Sequence, residues 1–537
     1  MRRAIAILVL ALVAPSLFFA VTLDDAFITF RFASHFAEGL GYGVWNPTEA
    51  PVEGFTTPLF MLLLSGASSL GLEPATAAKL IGWASHLGAT ALVVAAALAH
   101  ERDDNATAFD RSSAWVAALL HATLLPAVWY STSGMETSLV ALLVTWAMWH
   151  PVLMRGTASF VVPIVALTLV RPEGFAFGLV IAAMHAWRRR DDARARLPYL
   201  VGLLAALATM AALLTARTTI FGPWLPNTYY AKGTGPLGRN VLLGLGYNLQ
   251  FGAALLPILL PAWLMAPRGR KEPVHYGVEK IAYGLVLLVA ASMIKVGGDS
   301  LAAFPFFRQF VHILPAIAYV AARGVCRSVS TDRRSLAIAA AISALIAVSA
   351  AQWHKERVVS DLRTSVRSAV QHGPLTSPRP TAFHQWLRTI TFDHTVTAVL
   401  AAGAWPYHVD RGTFIDMLGL CDAHIAHHGH FDSFARVDSK TDIDYVMSRE
   451  PDILDGYLPA RPILQGLSRE QVVSARAQMI NALLDHPQFR QHYELVVDAP
   501  YEVWRPAVFI RREYLQTLPP EVRPRTIDVR ETSLYRE

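Results

Sequence analysis

Blocks of about 20 apolar residues recur along roughly the first two thirds of this 537-residue chain, separated by short gaps that carry arginine. A block of that length crosses a hydrocarbon core of about 30 Å as a helix, and within such a core any other open backbone leaves N–H and C=O groups unsatisfied. In order, the blocks fall near 4–22, 75–99, 112–128, 137–154, 158–170, 174–187, 198–221, 240–265, 277–296, 309–323 and 335–351. They predict an α-helical polytopic membrane protein with about 11 transmembrane helices. The blocks at 158–170 and 174–187 are short enough to be either two crossings or one re-entrant pair. The block at 58–70 is shorter still and reads as an interfacial or re-entrant helix. Hydrophobic residues make up 53% of the chain and charged ones 16%, against about 25% charged in soluble domains.

The cations set an orientation. With Met1 cytoplasmic, Arg102 and Arg111, Arg155, the run Arg188-Arg189-Arg190, Arg268 with Arg270 and Lys271, and Arg327 with Arg333 and Arg334 all fall on the inside, as the positive-inside rule requires. Counting 58–70 as a crossing inverts every one of these gaps, which argues against it. The net charge of +6 therefore reads as a topology signal in a bacterial inner membrane, with no nucleic-acid partner implied. Met1 to Leu23 has the arginine-then-apolar order of a signal segment, but Ser16 to Ala20 is a poor cleavage site, so it reads as an uncleaved anchor.

The domain reading is a membrane domain over 1–351, with a first extracytoplasmic loop at about 23–74, and a soluble extracytoplasmic domain over 352–537. Within the latter, β-prone runs at Thr395 to Ala402, Ile443 to Met447 and Tyr493 to Val497 alternate with a helical pattern from Arg469 to Leu484, which predicts an α/β fold. Cys326 and Cys421 fall on opposite sides of the membrane, which leaves no intrachain disulfide.

The polar motifs gather on the extracytoplasmic side. Asp24 and Asp25 follow the first block directly. A carboxylate there can take the proton from an acceptor hydroxyl, or hold a divalent ion such as Mg2+ or Mn2+ against a phosphate leaving group. One of the two can equally cap the helix that begins beside them. Arg171, Lys232 and Arg308 stand at the outer ends of different blocks, against the positive-inside bias. They can meet a lipid phosphate or pair with nearby acids such as Glu173 and Asp299. Arg31, Glu53, Glu136, Asn227, Tyr230 and Asp299 complete the candidates for acceptor or sugar contacts. The histidines from His424 to His430 are dense but lack the spacing of a metal site, and His86 and His121 read as packed, hydrogen-bonded groups within the spans.

These residues carry a resemblance. Asp24-Asp25-Ala26-Phe27-Ile28-Thr29-Phe30-Arg31, Glu53-Gly54-Phe55-Thr56-Thr57-Pro58-Leu59, Gly134-Met135-Glu136-Thr137, Arg171-Pro172-Glu173-Gly174, the run Pro226 to Lys232, Gly297-Gly298-Asp299 with Arg308, and the run Asp416 to Asp422 together resemble the GT-C glycosyltransferases over nearly the whole chain. Within that superfamily the likeness is to terminal arabinofuranosyltransferases of mycobacterial arabinan synthesis and to bacterial relatives labelled flagellar motor control proteins. Phe60 departs from the pattern, which has Trp there. The resemblance implies a multispanning core, a catalytic acid at Asp24 or Asp25, a polyprenyl-phosphate sugar donor contacted by Lys232 and Arg308, and a C-terminal domain that helps bind a glycan or lipid-linked acceptor. The alternative is a transporter or flippase of a polyprenyl-linked sugar, or a non-enzymatic accessory protein of a surface machine. Transporters bury ionisable groups at mid-membrane in two related halves, whereas here the acids lie at block ends and no halves repeat.

Overall fold

The computed structural model describes residues 1–103, 108–232, 237–264, 276–299, 306–327, 355–372, 380–434, 437–473, 478–500 and 506–535. The chain sorts into two compact units: Met1–Leu23, Thr57–Thr215 and Pro236–Pro378 form the first, and Asp24–Thr56, Ala216–Gly235 and Arg379–Glu537 the second. The second unit thus takes in two segments that lie ahead of position 352 in the sequence.

The first unit is helical. Pro74–Arg102 and Ala193–Ile220 are long and apolar enough to cross a membrane, and the shorter apolar helices include Pro58–Ser69, Thr137–Leu153 and Thr157–Val170. Leu237–Leu264, Tyr276–Val296 and Leu314–Arg327 follow, while the expected block at 335–351 lies outside the described residues. Leu204, Leu242, Leu249 and Leu287 are each at least 66% exposed. Leucines turned outward along long apolar helices suit hydrocarbon and not water, which marks this unit as built for a bilayer.

Two of the expected short blocks are explained locally. Pro172 forces Arg171 into extended backbone (φ −151°, ψ 147°), so Thr157–Val170 ends there and Pro172–Arg188 begins anew. The 14 residues of the former rise about 21 Å, less than a hydrocarbon core. Pro58–Ser69, with Pro58 in its first turn, has 12 residues and rises about 18 Å. The helices approach closely where side chains are absent, as small residues permit between membrane helices. A Cβ on Gly174 would lie 2.0 Å from the Leu167 carbonyl oxygen, and one on Gly244 would lie 2.2 Å from that of Met293.

The second unit is α/β. Its main sheet is built from β1 (Val396–Val399), β2 (Thr413–Asp416), β5 (Ile453–Pro459), β6 (Tyr493–Val496), β7 (Pro506–Arg511) and β8 (Thr526–Asp528), in the order β2-β1-β5-β7-β6-β8. β3 (His430–Phe434) and β4 (Val437–Thr441) form a separate antiparallel pair. β1 is parallel to β2 and β5, and the remaining neighbours are antiparallel. Period-two alternation fills both faces. Ala398, Ile415, Leu454, Leu495 and Phe509 pack into one core, and Val399, Phe414, Ile453, Val496 and Ile510 into the other.

The strands expected near Thr395 and Tyr493 are β1 and β6. Ile443 to Met447 is instead a helix, Ile443–Ser448, because the Asp442 carboxylate accepts the Tyr445 N–H at 2.9 Å and caps it. The helical pattern from Arg469 appears as Arg469–Val472 and Gln478–Asp485.

The Gly244 contact yields a stability prediction. Gly244→Leu places a branched side chain against backbone that cannot retreat, so it lowers the detergent-solubilised thermal midpoint, whereas Gly246→Leu, with open space around its Cβ position, leaves it within about 2 °C.

Candidate functional site

The helix Asp24–Ala37 starts on two acids, which suits the positive end of its dipole. The two do different things. Asp24 is exposed, and its Oδ1 accepts the Ala404 N–H at 2.9 Å, at the start of the helix Ala404–Val409. The preceding residue must be glycine, since a Cβ on Gly403 would lie 2.4 Å from Asp24 Oδ2. Asp25 is half-buried and has no hydrogen-bond or ion-pair partner among the described residues. It lies within electrostatic reach of the Cys421 thiol.

Two turns along the same helix, Arg31 is 2% exposed and fully occupied by the protein. Its guanidinium donates to the Trp45 carbonyl at 3.1 Å, the Pro406 carbonyl at 2.6 Å and Asp410 Oδ1 at 2.5 Å, between the rings of Trp45 and Phe414. His35 joins Asp410 from the next turn at 3.3 Å. Burial alone raises the Asp410 carboxyl, but hydrogen bonding from His35 and the Arg31 charge outweigh it and hold the group below its ordinary range.

Glu53 and Asn227 join separate stretches of the chain. Arg217 Nε donates to both Glu53 oxygens, at 3.0 and 2.7 Å, in a pair that is almost wholly buried. Burial nevertheless leaves the Glu53 carboxyl raised. The Asn227 N–H donates to the Glu53 carbonyl at 3.1 Å. Its side-chain amide faces the carbonyls of Gly419, Leu420 and Asp422 at 2.8, 3.0 and 3.3 Å. Tyr230 leans on the His427 ring at 4.4 Å, and Lys232 is exposed just past the short helix Asn227–Ala231. His424 stacks on Tyr445 at 3.9 Å.

The loop that Asn227 grips is shaped from inside by Asp416. That carboxylate is 0% exposed and accepts the Leu418 N–H at 3.0 Å and the Cys421 N–H at 2.8 Å. Asp422 caps the next helix, Ala423–His428, by accepting the Ile425 N–H at 3.0 Å. Burial, opposed by the backbone N–H groups, pushes the Asp416 carboxyl up to about 7.

In the first unit the remaining candidates gather around a residue that the sequence did not single out, His312. Arg171 Nη1 donates to Glu136 Oε1 at 2.5 Å, and the other side of its fork meets both Glu173 oxygens at 3.2 Å. Arg308 meets Asp299 at 3.1 and 3.4 Å. His312 is fully buried within electrostatic reach of Arg171, Glu173 and Arg308, and neither ring nitrogen has a hydrogen-bond partner among the described residues. Two arginines thus face three carboxylates, so both cations are already paired from within. Phe306 and Phe307, both left-handed (φ 63° and 56°), turn the chain into Arg308. Side chains of this bulk hold such a conformation only where the surroundings impose it. Elsewhere in this unit, His121 Nδ1 lies 3.0 Å from Thr90 Oγ1.

Asp24 already holds a backbone N–H, and among the described residues no group of three or more His, Cys, Asp and Glu converges as a metal set. Mg2+ is commonly held by one or two carboxylates together with substrate phosphate and water, so Asp24 and Asp25 are the acids that would face such an ion. Neither Cys326 nor Cys421 is in a disulfide, and both are buried.

Residues 367–518 match a family model described as a domain of unknown function, DUF8728. No curated protein matches the sequence. Among solved structures, the chain is similar to ArnT from Cupriavidus metallidurans in the apo state, with a TM-score of 0.52 and 12% identity over 95% of this chain and 98% of that one. It also matches ArnT from the same organism bound to undecaprenyl phosphate, with a TM-score of 0.49 and 14% identity over 94% and 97%. The likeness to the first is one of fold.

Asp416 makes the second unit sensitive to pH. Its folded-state value of about 7 lies above the unfolded value of about 3.9, so the folded chain holds the proton more tightly. This group therefore favours folding most below about pH 4, and its contribution declines by about 1.4 kcal/mol per pH unit up to about pH 7. Asp416→Asn removes that slope but leaves a buried N–H unaccepted, at a cost of about 1–3 kcal/mol. The thermal midpoint of the variant therefore lies below wild type at pH 4, and the order reverses toward pH 8, where wild type has lost about 4 kcal/mol.

Proposed function

We propose that this protein is a GT-C-type glycosyltransferase of the bacterial inner membrane that moves a sugar from a polyprenyl-phosphate carrier to a glycan or lipid-linked acceptor outside the cytoplasm. The observation that carries this reading is the division of labour between adjacent acids: Asp24 is engaged with the Ala404 N–H while Asp25 stands half-buried without a partner among the described residues. A carboxylate kept clear of cations and donors is available to accept a proton.

In the proposed step, Asp25 takes the proton from an acceptor hydroxyl as that oxygen forms its bond to the anomeric carbon. The bond from that carbon to the phosphate oxygen breaks, and the electron pair leaves with the polyprenyl phosphate. Lys232, exposed at the end of its helix, is assigned to the departing phosphate charge. Arg171 and Arg308 are the further candidates for a phosphate contact, and phosphate binding at either requires exchange of its carboxylate partners. Glu136 and Asp299 then act through these arginines. Arg31, Glu53 and Asn227 hold backbone and each other in place, and Tyr230 is the candidate for contact with sugar. The sugar is arabinofuranose or another pentose or hexose, on the resemblance to arabinofuranosyltransferases. The N-terminus is assigned to the cytoplasm and the C-terminal domain to the opposite side, with about 11 spans.

Transfer of radiolabelled sugar from a panel of polyprenyl-phosphate sugars to a cell-envelope extract tests the reading with the purified full-length protein. Asp25→Asn lowers turnover by about 10²–10⁴-fold. Asp24→Asn keeps an oxygen for Ala404 and stays within about tenfold of wild type. The reverse pattern assigns the base to Asp24. Wild-type turnover in both variants, or no product from any donor, removes the enzymatic reading in favour of a transporter or accessory protein. Loss of turnover with a chelator, restored by Mg2+ or Mn2+, assigns the acids to a metal.

A further inference from the structure

Lys79 is the residue in the first unit whose burial has the least obvious cause. It lies in the second turn of the helix Pro74–Arg102 and is 0% exposed. The ammonium donates to the carbonyls of Phe19 at 2.6 Å, of Thr132 at 2.8 Å and of Val21, with the Phe19 ring 5.4 Å from Nζ. No carboxylate pairs with it among the described residues; the acid in electrostatic reach is Glu73, six residues back along the chain. All three of its donors therefore go to backbone.

Those carbonyls are where donors are scarce. The short helical turn Ala14–Phe18 ends the first helical stretch, the next helix begins at Asp24, and Phe19 to Leu23 between them is irregular. Irregular backbone at such a place needs donors from elsewhere in the protein. One ammonium satisfies two of these carbonyls and joins them to a third, in the turn that leads to Glu136. The Leu23 N–H closes the same junction by donating to the Ser133 carbonyl at 3.0 Å. The lysine's own helix is pressed against that turn, since a Cβ on Gly82 would lie 2.4 Å from the Ser131 carbonyl oxygen.

We propose that Lys79 is a positioning residue that fixes the backbone from which the Asp24-Asp25 pair issues. The assignment of catalysis to that pair rests on the function proposed above, whereas the anchoring itself does not. Val21 stands three residues before Asp24, and Leu23 is also tied down, so the backbone up to the acid pair is held. A methionine at 79 would fill the same space but offer no donor to any of the three carbonyls.

The test compares full-length Lys79→Met with wild type in detergent by hydrogen exchange, by undecaprenyl phosphate binding and by sugar transfer. Exchange is expected to rise in peptides covering residues 19–25 and 131–136 and to stay unchanged elsewhere. Undecaprenyl phosphate is expected to bind within about twofold of wild type, while kcat falls by about 10–100-fold, the scale of an ångström's misplacement at a reacting group. Unchanged exchange in those two segments overturns the anchoring. Wild-type kcat overturns the positioning role, as does a rise in exchange throughout the chain with binding and turnover lost together. If Lys79→Met does not fold, Lys79→Gln, which keeps an uncharged donor, carries the same comparison. Full turnover by both Asp variants defeats the functional reading instead, and the exchange measurement, which needs no substrate, still decides whether Lys79 anchors the exit.

Discussion

A charge removed from water must be met by opposite charge or by oriented dipoles, and that cost organises this protein. Arg31 is met by Asp410, Glu53 by Arg217, Arg171 by Glu136 and Glu173, and Arg308 by Asp299. Lys79 is met by carbonyl dipoles alone. Each match joins stretches of chain that apolar packing leaves free to slide, because a hydrophobic contact is nondirectional and a guanidinium fork is not. Against this background a carboxylate such as Asp25, left without a partner among the described residues, stands out chemically.

Much of the helical unit was legible in the sequence because hydrocarbon imposes length and apolarity on any helix that crosses it. The interruption at Pro172 could be read for the same reason, since proline acts on the residue just before it. The second unit was less legible. Ile443 to Met447 has the composition of a strand, yet Asp442 ahead of it supplies the acceptor that a helix start needs, and a local cap outweighed β-propensity.

The candidate site shows the same limit. Asp24 and Asp25 could be found from their position after an apolar block, but nothing local separates their roles. That separation comes from Ala404, 380 residues further on. Arg31 read as a possible sugar contact because its partner, Asp410, lies 379 residues away and itself adopts a left-handed conformation at a helix end. His312 had no signal in the sequence, because a lone histidine beside an apolar run is usually a packing residue. The acids and arginines around it come from four separate segments.

The makeup of the second unit bears on how the protein is made. Its parts are drawn from residues 24–56, 216–235 and 379–537, so a ribosome delivers the acid pair at the start and its partners near the end. Until the late segment has been synthesised, Asp24 has no Ala404 to hold and Arg31 no Asp410. The early loop must wait, with its buried arginine still in water, through most of translation. A chain assembled in this order cannot acquire its finished acid pair before Ala404 and Asp410 have been added.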